Sequence, residues 1–210
     1  MPGNIPHSWL ALGDSYTIGE ALPLYESYPY QCVQLLRKAG LPFSAPEIIA
    51  RTGWTTGELE QGIRQTLLQP PYDIVSLLIG VNNQYRGYPP EDYAAGFERL
   101  LQQALAFAGN RTQRVFVLSI PDWGATPFAG TRQNDVQPVS AAIDLFNQVN
   151  EGIARRYDVR RLDITPGSRM ATTDNSLLAA DQLHYSGKEY GRWAGVLAEA
   201  IKEAFGKNGS

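Results

Sequence analysis

Ser15 sits in the run Leu12-Gly13-Asp14-Ser15-Tyr16, directly after an apolar stretch, and His184 closes the run Asp181-Gln182-Leu183-His184 far down the chain. A serine hydroxyl is a weak nucleophile near neutral pH and needs an adjacent base. The chain has 2 histidines. The other, His7, lies in a short leader where a solvent-exposed ring is expected, so a serine nucleophile here has His184 as its base. Asp181 is close enough in sequence to share a turn with His184. Its carboxylate can then accept the Nδ1 proton, fix the ring tautomer and stabilise the imidazolium. Asp14 needs no catalytic role, because an aspartate beside a turn serine serves equally as a cap or brace.

The segments around these residues say how they are positioned. Apolar, β-branched runs predict strands over Ser8–Leu12, Glu47–Arg51, Asp73–Ile79, Arg114–Ile120 and Val159–Ile164. Helical patterns fall between them, over Pro29–Ala39, Thr56–Leu68, Glu91–Ala108 and Val139–Tyr157, with a last helix from Gly187 to Phe205. This alternation argues for a parallel sheet with helices on both faces. The run Ile74-Val75-Ser76-Leu77-Leu78-Ile79 is almost continuously apolar, as expected of a strand buried on both sides. Thr55 with Glu58, and Ser186 with Glu189, have the spacing of capping boxes. Pro90 suits a first helical turn and Gly40 and Gly206 suit helix ends.

Two further runs follow predicted strands: Arg51-Thr52-Gly53-Trp54 after the second and Gly80-Val81-Asn82-Asn83 after the third. In an open α/β sheet all of these runs meet along the carboxyl edge, where ligands bind. Four blocks in this order resemble the GDSL, or SGNH, hydrolase family of esterases and lipases, including lysophospholipase-like members. Its four named positions match Ser15, Gly53, Asn82 and His184, and the likeness covers nearly the whole chain. The resemblance implies a three-layer α/β/α sandwich on a five-stranded parallel sheet, flavodoxin-like in architecture. It also implies an oxyanion hole formed by the backbone N–H groups of Ser15 and Gly53 and the side-chain amide of Asn82. One departure stands out: Asn83 occupies a position where the family commonly has aspartate. Asn83 is expected to bond its own loop, as asparagine does in turns.

Tyr16–Tyr28 and Pro121–Pro138 read as long irregular segments at the same edge, rich in Gly, Pro and aromatics, and Pro121–Pro138 is a candidate lid or specificity loop. Tyr16, Trp54, Tyr85, Trp123 and Tyr185 flank the blocks and are candidates to line a substrate pocket. Asp122 reads as a loop brace. Cys32 falls in an apolar helical pattern and reads as packing.

The chain has 210 residues and a net charge of −3, with both signs mixed along its length. One domain spanning 1–210 is expected, with a disordered tail from Gly206. The acidic balance argues against nucleic acid as a partner, which favours a basic surface. With 1 cysteine no intrachain disulfide is possible. No apolar run approaches the ~20 residues that span a bilayer. The leader lacks the basic and apolar regions of a signal peptide, so a cytoplasmic protein is the default expectation. No metal-ligand spacing is present, and the chemistry needs no metal or cofactor. The expected substrate is a small-molecule or lipid ester cleaved through an acyl-enzyme. Acyl thioesters, acetylated sugars and acyl transfer to an alcohol are alternatives with the same machinery. From a different class, a non-catalytic flavodoxin-like binding module is conceivable. The Gly13–Gly19 loop, however, lacks the glycine and lysine pattern of a phosphate cradle.

Overall fold

Five parallel strands make one sheet in the order β2-β1-β3-β4-β5: β1 Trp9–Asp14, β2 Glu47–Arg51, β3 Ile74–Leu78, β4 Val115–Leu118 and β5 Arg160–Leu162. The computed structural model describes residues 5–131 and 139–206. The long helices are α2 Tyr28–Lys38, α3 Thr56–Arg64, α5 Pro90–Phe107, α6 Val139–Arg156 and α8 Gly187–Gly206. Three short ones, α1 Ser15–Ile18, α4 Val81–Tyr85 and α7 Thr165–Arg169, follow β1, β3 and β5.

Handedness explains the three layers. The connection from β1 to β2 runs one way along the sheet and the later three run the other way. Right-handed crossovers then put α2 on one face and α3, α5 and α6 on the other. Accordingly α2 packs on α8, while α5 packs on both α3 and α6. The direction reverses at β1, so a crevice opens beyond the carboxyl ends of β1 and β3. Every residue of β1, β3 and β4 is buried, whereas the edge strands β2 and β5 are partly exposed. The apolar stripe Tyr190, Trp193, Ala194, Leu197 and Ile201 of α8 is buried as its spacing requires. Cys32 is buried on α2, and burial pushes its thiol pKa up. Among the described residues no helix is long and apolar enough to cross a membrane.

Several expectations from the sequence need correcting. Tyr16–Tyr28 is not irregular, since it holds most of α1, a 3-10 turn at Leu24–Glu26 and the start of α2. The first part of Pro121–Pro138 forms two more 3-10 turns, Trp123–Ala125 and Pro127–Thr131. Residues 132–138 of that candidate lid lie outside the described residues. The Thr55–Glu58 capping box is present. The Ser186–Glu189 box does not form: the Ser186 hydroxyl donates to the Ser176 carbonyl at 2.7 Å. Glu189 is buried and instead accepts from Trp193 Nε1 at 2.9 Å and Arg192 at 3.0 Å. Ser186 is drawn to the Ser176 carbonyl and Glu189 to the next turn of its own helix, so the cap is left unmade. Nor is His7 a free surface ring. It packs between Phe43 and Phe205, with ring centroids 5.1 and 4.5 Å away, and Nδ1 lies 3.6 Å from the Asp73 carboxylate. Gly206 belongs to α8, and 207–210 of the expected tail lie outside the described residues.

Candidate active site

Ser15 is the first residue of α1, on the turn that leaves β1. Asp14 is the N-cap: its Oδ1 accepts the Tyr16 N–H at 3.0 Å, which aims the turn and leaves the Ser15 side chain at the sheet edge. Asp14 is wholly enclosed. Burial, opposed by its backbone hydrogen bonds, raises its pKa from the ordinary 3.8 to about 7. Tyr16 packs its ring against His184, centroids 5.4 Å apart, and Tyr185 and Trp193 continue the aromatic support behind it. Burial raises the Tyr16 pKa well above its ordinary value, so it stands there as a neutral phenol.

His184 arrives from the other end of the chain on a turn built by Asp181. Asp181 Oδ1 accepts the backbone N–H groups of Leu183 at 3.1 Å and His184 at 2.9 Å. Gln182 between them takes a φ of 59°. The second carboxylate oxygen, Oδ2, lies 2.6 Å from His184 Nδ1, and His184 Nε2 lies 2.9 Å from Ser15 Oγ. With Nδ1–H donating to the carboxylate, Nε2 is left with its lone pair toward the serine hydroxyl. Burial pushes the Asp181 carboxyl up. The His184 ring and the two backbone donors outweigh it and hold the group below the usual carboxylate range. It is therefore a permanent anion at neutral pH, as an orienting group for an imidazole must be. The arrangement can move a proton from the serine to the imidazole and back.

The Gly53 turn closes the opposite side. The Trp54 N–H donates to the Arg51 carbonyl at 3.2 Å, and Gly53 at the third turn position takes a φ of 82°. That value belongs to the left-handed region, which a turn of this kind fills with glycine. The helix α4 grips the turn from one side. Asn82 Nδ2 donates to the Trp54 carbonyl at 3.0 Å, Asn83 bonds Thr56, and Arg86 Nη2 donates to the Gly53 carbonyl at 2.6 Å. The Asn82 amide nitrogen carries two N–H groups, so one contact to Trp54 does not exhaust it.

Ser15, Gly53, Asn82 and His184 line one cavity of about 180 Å³, together with Tyr16, Thr52, Val81, Tyr85, Trp123 and Leu183. Of the aromatics singled out from sequence, Tyr16, Tyr85 and Trp123 line it and two do not. Trp54 turns away and packs its indole over Gly62 of α3, where even a Cβ would come within 2.3 Å of the ring. Tyr185 is completely buried, with its hydroxyl donating to the Asp122 carbonyl at 3.0 Å. Trp123 is held by Nε1 donating to Gln84 Oε1 at 2.8 Å and by edge contacts with Tyr85 and Phe128. Asp122 braces this turn, accepting from Gly124 N and Arg169 Nε at 2.9 and 2.8 Å. Sequence reasoning missed Thr52, Val81 and Leu183 as lining residues, although each neighbours a block residue. It also missed Gln84 and Arg86, for which there was no local signal. A larger cavity of about 460 Å³ lies between α6, α8 and the amino ends of β4 and β5. Its three arginines are engaged, Arg155 with Glu151, Arg160 with Glu203 and Arg161 with Asn150 and Asp163, and it shares no lining residue with the Ser15 cavity.

Residues 11–205 match the GDSL-like lipase/acylhydrolase family. No curated protein sequence matches the chain. Among solved structures, TesA is similar at 18% identity over 94% of this chain and 99% of its own, with a TM-score of 0.72. The lipase/acylhydrolase from Enterococcus faecalis gives 18% identity, 94% and 96% coverage and a TM-score of 0.71. The acetyl xylan esterase AlAXEase gives 15% identity, 92% and 99% coverage and a TM-score of 0.72. At such identities the likeness is one of fold.

Proposed function

The chain belongs to the GDSL-like lipase/acylhydrolase family, and from that premise we propose that it is a serine esterase acting on carboxylic esters of small acyl groups. The observation that carries this reading is the pair of short contacts at the cavity, 2.9 Å from Ser15 Oγ to His184 Nε2 and 2.6 Å from His184 Nδ1 to Asp181 Oδ2.

In the proposed cycle Ser15 Oγ attacks the ester carbonyl while His184 Nε2 takes the hydroxyl proton. The carbonyl oxygen becomes an oxyanion. It is held by the Ser15 N–H, which as the first helical donor has no partner within α1, by the Gly53 N–H and by Asn82 Nδ2. Collapse expels the alcohol, which leaves with the proton from His184. Water then attacks the acyl-serine with His184 again as base, and the acid departs as Ser15 recovers its proton. Asp181 remains ionised throughout and holds the imidazole in its working tautomer.

The size of the cavity supports small acyl groups. Sites for drug-sized ligands run to about 300–1,000 Å³, and the cavity, at about 180 Å³, is smaller than these. After the ester itself is seated, an acyl chain of a few carbons fills the space between Val81, Tyr85, Trp123 and Leu183. The test is hydrolysis of p-nitrophenyl esters from acetyl to palmitoyl by the wild type and by Ser15→Ala, with fluorophosphonate labelling alongside. Activity on short esters that vanishes in the variant is the expected result. No ester cleaved and no label on Ser15 would return the chain to the binding-module alternative.

A further inference from the structure

Arg86 stands just after α4, and its guanidinium does two things at once. Nη2 donates to the Gly53 carbonyl at 2.6 Å, and Nη1 donates to Glu58 Oε1 at 3.2 Å. Glu58 is itself fixed, because its other oxygen accepts the Thr55 N–H at 2.8 Å and the Thr55 hydroxyl at 2.9 Å in the cap of α3. The guanidinium therefore hangs between an anchored carboxylate and the outer peptide of the Gly53 turn.

The direction of the Gly53 N–H depends on the backbone angles of Gly53, which is the most permissive residue in the chain's repertoire. Among the described residues one backbone hydrogen bond closes the turn, Trp54 N–H to Arg51 C=O at 3.2 Å. Two successive carbonyls after the Gly53 N–H are gripped by side chains of the α4 segment, Gly53 by Arg86 and Trp54 by Asn82. The carbonyl of Trp54 controls the far end of the turn. The peptide that carries the Gly53 ψ angle is bonded at both ends, its Trp54 N–H to the Arg51 carbonyl and its Gly53 carbonyl, among the described contacts, to Arg86 alone.

We propose that Arg86 is a positioning residue for the oxyanion hole, acting through the Gly53 carbonyl to keep the Gly53 N–H aimed at the reacting carbonyl oxygen. The proposal rests on the serine-esterase reading of the same site. Arg86 contributes to the transition state and not to ground-state binding, since the oxygen gains its negative charge only as Ser15 attacks. Its own charge is spent on Glu58 and on a backbone acceptor. Losing an oxyanion donor outright costs about 10²–10³ in turnover. A donor that remains but wanders should cost less, about ten- to a hundredfold.

The experiment compares wild type, Arg86→Ala, Arg86→Lys, Glu58→Gln and Ser15→Ala on p-nitrophenyl acetate, with thermal unfolding of each. Arg86→Ala is expected to lose about ten- to a hundredfold in kcat with KM within about twofold and a midpoint close to wild type. Arg86→Lys should recover part of the loss, and so should added guanidinium or ethylguanidinium with Arg86→Ala. Glu58→Gln, which weakens the ion pair but leaves the Gly53 bond, should keep most of kcat. Arg86→Ala with wild-type kcat, beside an inactive Ser15→Ala, overturns the positioning role and leaves the esterase standing. A loss in Glu58→Gln equal to that in Arg86→Ala overturns it too, because the ion pair and not Gly53 would then be the connection. A wild type that cleaves no ester and takes no fluorophosphonate label on Ser15 overturns both readings.

Discussion

The side chain of Asn83 is bonded twice to Thr56: Oδ1 accepts the Thr56 N–H at 3.0 Å and Nδ2 donates to Thr56 Oγ1 at 2.9 Å. Both residues are buried. The block that follows β3 is thereby stitched to the segment that follows the Gly53 turn. This is the position where the family commonly carries aspartate, and the pairing explains why asparagine serves. The threonine hydroxyl can donate or accept, so it adapts to an amide donor here and could adapt to a carboxylate acceptor.

Removing that stitch should loosen the turn. Asn83→Ala leaves the buried Thr56 N–H unpaired, which costs about 1–3 kcal/mol. Asn83→Asp retains two acceptors for the N–H and the rotated hydroxyl, at the expense of burying a charge. Urea unfolding should rank stability as wild type, then Asn83→Asp, then Asn83→Ala. An alanine variant as stable as wild type would show that the paired contacts add nothing.

Asn82 carries the charge-stabilising donor in the proposed mechanism. Asn82→Ala should lower kcat by about 10²–10³, corresponding to about 2.7–4 kcal/mol, while KM for a short ester changes little. Steady-state kinetics on p-nitrophenyl acetate measures both. Unaltered turnover would remove Asn82 from the oxyanion hole. A loss confined to KM would mean that its contact with Trp54 shapes ground-state binding only.

Trp123 lines the cavity, fixed by Gln84 and in edge contact with Tyr85 and Phe128, and in the proposed reading it is the wall that limits the acyl group. Trp123→Leu removes the indole while keeping an apolar wall. Each additional buried methylene is worth about 0.8 kcal/mol, close to fourfold in kcat/KM. The ratio of kcat/KM for hexanoyl over acetyl ester should therefore rise by about tenfold or more. An unchanged ratio would mean that the chain runs out past another wall.

The sequence and the structure agree most closely where a requirement is local. The bounds of β2 coincide with the apolar run Glu47–Arg51, and the Thr55–Glu58 cap forms as spaced. Asp181 and His184 were legible together because a turn of three residues can close only on itself. The misses share a physical cause, competition from partners that the local spacing pattern does not name. Ser186 and Glu189 were drawn to Ser176, Trp193 and Arg192. His7 was captured by Phe43 and Phe205, and Trp54 by the bare backbone of Gly62. An aromatic beside a catalytic block has a core and a pocket available to it. Tyr185 took the core and Tyr85 the pocket, and no pattern of neighbours in the chain distinguishes them. The short helices α1 and α4 escaped notice for a related reason. With 4 and 5 residues they have no periodicity to read, and they are held by the Asp14 cap and by contacts to the Gly53 turn.

Asp14 makes the stability of this fold depend on pH in an unusual direction for a carboxylate. Its folded pKa is raised from 3.8 to about 7 by burial, with the phenols of Tyr16, Tyr28, Tyr93 and Tyr190 among the groups that feel its charge. Between those two values the folded protein holds a proton that the unfolded chain has released. Stability from this group is therefore complete below about pH 4 and is lost as pH rises through 7, at up to about 1.4 kcal/mol per pH unit. Asp181 acts in the opposite sense, because its carboxyl is held low, and its contribution is already complete at neutral pH. The comparison that isolates Asp14 is wild type against Asp14→Asn, which retains the acceptor for the Tyr16 N–H. Unfolding free energies from urea titrations at pH 5, 6, 7 and 8 should fall more steeply with pH in the wild type than in the variant. Two parallel curves would mean that Asp14 is ionised throughout and that its cage supplies more compensation than the Tyr16 N–H alone.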